Sequence, residues 1–154
     1  MQRFSLPSQP EKIGSDAAET KGRILLIEDN PADVGLVREA LEEHQVRCDL
    51  TVINNGERAI EFIEALDRDA SGCPHLVILD LNLPKKPGRE VLKSLRASVP
   101  CGHMPIIVLT SSDNQKDRSE AARLGASRYI RKPSRLAEFL SLGAVFKETL
   151  GNER

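Results

Sequence analysis

The sequence predicts an α/β fold, a doubly wound five-stranded parallel sheet with helices on both faces, over residues 23–150. Three observations carry that expectation. Short β-type apolar runs alternate with amphipathic segments along this stretch, the pattern of parallel strands joined by crossover helices. The runs Ile24 to Ile27, Leu76 to Leu79 and Ile106 to Leu109 are apolar at every position, as strands covered on both faces must be. Four runs are closed by a polar element: Glu28 with Asp29, Asp80, Thr110, and Lys132 after Tyr129 and Ile130.

The elements follow in order. Residues 1–22 are rich in Ser, Pro, Glu and Lys with little periodicity, so they cannot offset their ordering entropy and are expected to be a flexible N-terminal tail. The first strand is Arg23 to Ile27. Asn30 then caps a helix that opens on Pro31, a residue favoured at the first helical position, and Val34, Val37 and Leu41 share one face. The second strand, Asp49 to Ile53, is more polar and suits the sheet edge. After Asn54, Asn55 and Gly56, a helix carries the core stripe Ala59, Ile60, Ile63 and Leu66. The third strand, Leu76 to Leu79, delivers Asp80; a loop through Leu81, Asn82, Leu83 and Pro84 leads to a helix with Val91, Leu92 and Leu95. The fourth strand delivers Thr110. Asn114 to Leu124 is a heavily polar helix with only Ala121, Ala122 and Leu124 as an apolar patch, so it is expected to be a low-stability element, with Gly125 as its C-terminal cap. The fifth strand, Arg128 to Ile130, precedes Lys132 and Pro133. Ser134 is placed to cap a last helix with Leu136, Phe139, Leu140, Phe146 and Leu150, and residues 151–154 form a short C-terminal tail.

A length of 154 residues fits one domain with a real core. A formal net charge of -1 announces no nucleic-acid or anionic-membrane partner. No apolar run approaches the roughly 20 residues of a membrane span and no signal-peptide core is present, so a soluble, cytoplasmic protein is expected. Cys48, Cys73 and Cys101 are odd in number and lack CxxC spacing, which argues against disulfides and a zinc knot and for reduced thiols. His44, His75 and His103 make no HExxH or triad-like spacing and read as surface or turn residues.

In an open parallel sheet all strands end at one edge, where ligands bind. The four polar closures would therefore meet as a set of carboxylates, a hydroxyl and an ammonium, suited to a hard divalent cation and a phosphoryl group. A carboxylate can carry a phosphoryl group as an acyl phosphate, and Asp80 is the candidate. Glu28 and Asp29 are the limited acid set that Mg²⁺ uses, while Lys132 and Thr110 suit the equatorial oxygens. Each has a bland reading: acids at a helix start, a Lys-Pro turn, a strand-end hydroxyl. The ordered combination is what points to chemistry. An Asp-nucleophile hydrolase of the haloacid-dehalogenase type needs a second Asp two positions later as general acid, and Asn82 holds that place.

The stretches Ile24-Leu-Leu-Ile-Glu-Asp-Asn-Pro31, Leu76-Val-Ile-Leu-Asp-Leu-Asn-Leu-Pro84, Pro105-Ile-Ile-Val-Leu-Thr-Ser-Ser112 and Gly125-Ala-Ser-Arg-Tyr-Ile-Arg-Lys-Pro133 together resemble the receiver domain of two-component response regulators. The resemblance implies a flavodoxin-like receiver fold over 23–150 with strand order 2-1-3-4-5. It also implies Asp80 as phosphoacceptor, and Glu28, Asp29, Asp80 and the backbone carbonyl of Asn82 as ligands of Mg²⁺ (or Mn²⁺). Thr110 and Lys132 would contact the phosphoryl group, Thr110 and Tyr129 would form a switch, and Asn82 and Ser112 would tune phosphoryl lifetime. One position departs from the pattern: Pro87, not Asp or Asn, precedes Gly88, so a side-chain cap is lost there.

The chain ends soon after the last helix and is expected to be a stand-alone receiver, similar to the small regulators paired with bacterial and cyanobacterial phytochromes. That similarity implies a histidine kinase as donor, such as a bacteriophytochrome, and a protein contact as output, such as relay to a histidine phosphotransfer protein. It implies a signalling protein that catalyses its own phosphoryl transfer, not an enzyme with a separate substrate. A phosphorylation-independent binding module on the same fold is the alternative; such a module typically has lost an acid or the lysine, and this chain keeps both. Leu142 and Val145 fall off the main stripe of the last helix, which fits either a homodimer face on the fourth helix, fifth strand and fifth helix or deeper packing of the helix.

Overall fold

The computed structural model describes residues 2–5 and 21–152. Among these described residues six strands form one sheet: β1 (Gln2–Ser5), β2 (Gly22–Ile27), β3 (Cys48–Ile53), β4 (Leu76–Leu79), β5 (Ile106–Thr110) and β6 (Arg128–Arg131). Five helices alternate with them: α1 (Pro31–Glu43), α2 (Gly56–Leu66), α3 (Gly88–Ala97), α4 (Gln115–Arg123) and α5 (Leu136–Asn152). The sheet order is β1-β3-β2-β4-β5-β6. β2 to β6 are mutually parallel and reproduce the expected 2-1-3-4-5 order, whereas β1 runs antiparallel to β3, with Phe4 opposite Leu50. The expected N-terminal tail thus contains a strand at Gln2–Ser5, and residues 6–20 of it lie outside the described residues. At the other end α5 continues through Asn152, past the expected boundary at 150.

The alternation of side chains along each strand divides the core in two. Ile24, Leu26, Ile78 and Leu109 face α1 and α5, packing with Val37, Leu41, Phe139 and Phe146; Leu25, Ile27, Val77 and Val108 face the other way, against Ala59, Ile63, Val91 and Leu95 of α2 and α3. This two-sided burial is why these strands read as unbroken apolar runs. Leu142 is buried and Val145 packs against the first of these clusters, so the second apolar side of α5 is internal packing.

Local signals account for most helix starts. Asn30 Oδ1 accepts from Ala32 N–H at 2.9 Å, Asn55 Oδ1 from Arg58 N–H at 2.8 Å, and Asn114 Oδ1 from Lys116 N–H at 2.7 Å. Pro87 makes no side-chain cap, as its missing acceptor requires. At α5 the first helical bond runs from Phe139 N–H to the Arg135 carbonyl, so Arg135 and not Ser134 occupies the cap position. Gly125, with φ +103°, closes α4 in the left-handed region where only glycine is unstrained. Among the described residues no helix is long and apolar enough to cross a membrane.

The cysteines differ from expectation. Cys73, before β4, and Cys101, before β5, form a disulfide with Cα atoms 5.6 Å apart, while Cys48 is free and buried. No CxxC spacing announces the bond because the partners are brought together by neighbouring parallel strands, 28 residues apart in sequence. Burial pushes the Cys48 thiol up to about 12, which leaves it inert. On the loop-closure model a crosslink spanning 28 residues stabilises by about 3–4 kcal/mol. Reduction with dithiothreitol is therefore expected to lower the melting temperature by about 10 °C; an unchanged melt would show that the bond restrains nothing.

At the same end of the sheet, Arg96 acts as a clamp. Its guanidinium donates to the carbonyls of Gly102 (2.8 Å), Met104 (2.6 Å) and Gly125 (2.8 and 3.0 Å). One side chain so satisfies the carbonyls of two loops, those before β5 and β6.

Candidate functional site

The parallel ladder determines which side chains meet. Glu28 N–H bonds Ile53 O (3.0 Å), Asp80 N–H bonds Ile27 O (3.0 Å) and Lys132 N–H bonds Thr110 O (2.8 Å), so all four strand ends are drawn to one edge. There Lys132 Nζ lies 2.9 Å from Glu28 Oε1, 3.1 Å from Asp80 Oδ2 and 2.7 Å from Asp33 Oδ2. Glu28, Asp29 and Asp80 each offer an oxygen within 4.8 Å of the others. Glu28, Asp80 and Thr110 are buried, Lys132 is nearly so, and Asp29 is exposed. Charges this enclosed persist only when paired.

The electrostatics follow. Burial pushes the Glu28 carboxyl up to about 7, with the neighbouring charge of Asp80 adding to the rise and the bond from Lys132 opposing it. Burial alone would lower the Lys132 ammonium, but bonds to Asp33 and Glu28 and the charge of Asp80 hold it above its ordinary range. The two directions are compatible, because Lys132 is held by three acids and Glu28 is only one of them. The pocket is an excess of carboxylates around one fixed cation, and its hard oxygen donors fit a divalent ion such as Mg²⁺ or Mn²⁺.

The remaining candidate residues ring this centre. Asn82 N–H donates to Asp80 Oδ1 at 3.1 Å, and the Asn82 amide reaches Thr110 Oγ1 only at 3.5 Å. The loop from Asp80 to α3 is held by Gly88, whose N–H bonds Leu81 O at 2.9 Å; a Cβ at Gly88 would meet Asp80 O at 2.5 Å, so glycine lets the helix start press on the loop. Ser112 Oγ donates to Asp117 Oδ2 at 2.6 Å, away from Asp80. Tyr129 OH donates to Ser112 O at 3.0 Å, and the Arg118 guanidinium stacks over its ring at 4.6 Å. The ring is thus tied to the loop that follows Thr110.

Asp33 and Arg96 escaped the sequence reading. Asp33 lies in the first turn of α1, where an acid is explained by the helix dipole alone; its position one turn beyond Asp29 was the available signal. Arg96 carried none, since its partners are backbone carbonyls.

The response regulator receiver domain model matches residues 24–142. The chain belongs to that family. Response regulator Rcp1 of Synechocystis sp. is similar at 34% identity, covering 83% of this chain and 88% of the relative. Among solved structures, the phosphorylated cyanobacterial phytochrome response regulator RcpA is similar with a TM-score of 0.78 and 31% identity, over 88% of this chain and 97% of that one. The Mn²⁺-bound form of Rcp1 gives 0.74 and 33%, over 82% and 92%. The matched residues 24–142 include Glu28, Asp29, Asp80, Thr110 and Lys132.

Proposed function

We propose that this receiver is a phosphorylation-controlled switch in which Asp80 accepts a phosphoryl group from a phosphohistidine of a histidine kinase. The observation that carries the reading is the Lys132 ammonium bonded to Asp80 within the acidic cluster of Glu28 and Asp29. In the transfer, an Asp80 oxygen forms the new P–O bond as the P–N bond to the donor imidazole breaks, and the imidazole leaves with a proton. Glu28, Asp29, Asp80 and the Asn82 carbonyl would hold Mg²⁺ (or Mn²⁺), which when bound offsets the charge of the phosphoryl oxygens. Lys132 neutralises one equatorial oxygen and the Thr110 hydroxyl donates to another.

Thr110 drawn inward vacates space beside Tyr129, whose bond to Ser112 O couples the ring to the same loop. The output surface is then α4, β6 and α5. α4 buries only Ala121, β6 has an exposed or half-exposed residue at every position, and Leu136 opens α5 at 57% exposure. This surface suits a homodimer contact or a histidine phosphotransfer protein. On phosphorylation, amide NMR shifts are expected throughout α4, β6 and α5; shifts confined to the Asp80 loop would overturn the switch. The phytochrome-associated relatives support a bacteriophytochrome kinase as donor. Phosphotransfer from a panel of autophosphorylated histidine kinases tests this: kinetic preference for a phytochrome kinase is expected, and preference for an unrelated kinase refutes the pairing.

The pocket should also be pH-sensitive. Glu28 carries its proton up to about 7 in the metal-free fold, against an ordinary value of 4.5. A raised folded-state value contributes stability below the unfolded value, and that contribution is lost as pH rises toward 7. A proton on Glu28 also competes with a cation, so apparent Mg²⁺ affinity is expected to be about tenfold weaker at pH 6 than at pH 8. Calorimetric titration at the two pH values checks this, and equal affinities would remove Glu28 from the ligand set.

A further inference from the structure

Asp33 has no part in the proposed chemistry, yet its carboxylate makes the shortest bond to Lys132, 2.7 Å against 2.9 Å for Glu28 and 3.1 Å for Asp80. Among the described residues it lies outside the acidic group of Glu28, Asp29 and Asp80. Glu28 and Asp80 therefore belong both to that group and to the ammonium, whereas Asp33 is committed to the ammonium. An ammonium has three N–H donors, and here three different carboxylates surround it. Entry of a phosphoryl oxygen requires one donor to be given up, and Asp33 is the partner that can keep Nζ in place throughout. It is mounted rigidly: Asn30 caps α1, Pro31 opens it, and Val34 and Val37 are buried one residue and one turn further on.

We infer that Asp33 is a positioning residue that anchors the Lys132 ammonium beside Asp80 so that a donor is presented to the incoming phosphoryl oxygen. The inference rests on the function proposed above. The full chain with Mg²⁺ and acetyl phosphate tests it, with uptake followed by intact mass. Asp33→Ala is expected to slow uptake by about tenfold, while Asp33→Asn, which keeps an acceptor oxygen, recovers most of the rate. Should Asp33→Ala not fold, Asp33→Ser, too short to reach Nζ, takes its place with the same expectation. A second readout needs neither metal nor phosphate: acylation of Lys132 by an N-hydroxysuccinimide acetate, located by peptide mass, is expected to run several-fold faster in Asp33→Ala than in wild type. Uptake at or above the wild-type rate in Asp33→Ala, or unchanged Lys132 acylation, overturns the inference alone. No uptake by wild type, or undiminished uptake by Asp80→Asn, overturns the functional reading and the inference with it.

Discussion

Asp80→Asn is expected to abolish phosphoryl uptake from both kinase and small-molecule donors, a loss of at least about a thousandfold. The reason is chemical: a carboxamide oxygen lacks the negative charge that makes the carboxylate a nucleophile. The fold should survive. Asp80 accepts from Asn82 N–H at one oxygen and from Lys132 at the other, and an amide can replace only one acceptor, since its NH₂ would face a donor on either side. Against that local cost, removing one of several clustered carboxylates relieves like-charge repulsion. The melting temperature should thus move by only a few degrees. The measurement is intact mass after acyl-phosphate treatment, beside a thermal melt. A variant that still gains one phosphoryl group, with label on another residue, would mean that Asp80 is not the acceptor.

Lys132→Met should have the second large effect, and on three quantities at once. The side chain is 12% exposed and is the cation for Glu28, Asp33 and Asp80. Removing one member of an enclosed ion-pair set leaves the others uncompensated, at a cost of about 3–5 kcal/mol in metal-free protein. Mg²⁺ should restore much of that stability, because it supplies positive charge to the same acids. For the same reason apparent Mg²⁺ affinity should tighten, by about tenfold, once the competing ammonium is gone. Phosphoryl uptake should fall by about a hundredfold, the usual scale for a lost charge-stabilising group. Chemical denaturation with and without Mg²⁺ separates these effects. Equal stability of variant and wild type in the absence of metal would show that the acids do not depend on Lys132.

The pocket was legible in the sequence because each of its main residues closes a strand, and a parallel sheet converts sequence order into spatial convergence. Asp80 after Leu79 and Lys132 after β6 needed no tertiary knowledge beyond that rule. Strand β4 and β5 up to Leu109 were equally plain, being apolar at every position. What stayed hidden depended on contacts between segments distant in sequence without a periodic signature. The Cys73–Cys101 bond follows from the adjacency of β4 and β5 and from no spacing motif. Asp33 looked like an ordinary first-turn acid, and Arg96 like a surface helix residue. Leu142 and Val145 left two readings open for a related reason: a helix packed on α1 and the sheet buries more than one stripe, which periodicity alone cannot tell from an exposed apolar face. The strand at Gln2–Ser5 was masked by its polar surroundings.

The guanidinium of Arg96 grips the Gly125 carbonyl just beyond the last turn of α4, while the first turn of that helix hangs from the Asn114 cap beside Ser112. One end is bolted to the loops before β5 and β6, and the other rests on the loop that follows Thr110. In the switch proposed above, α4 would act as a lever with its fulcrum at Gly125, so that a displacement near Thr110 would swing the polar helix about that end and not translate the whole element.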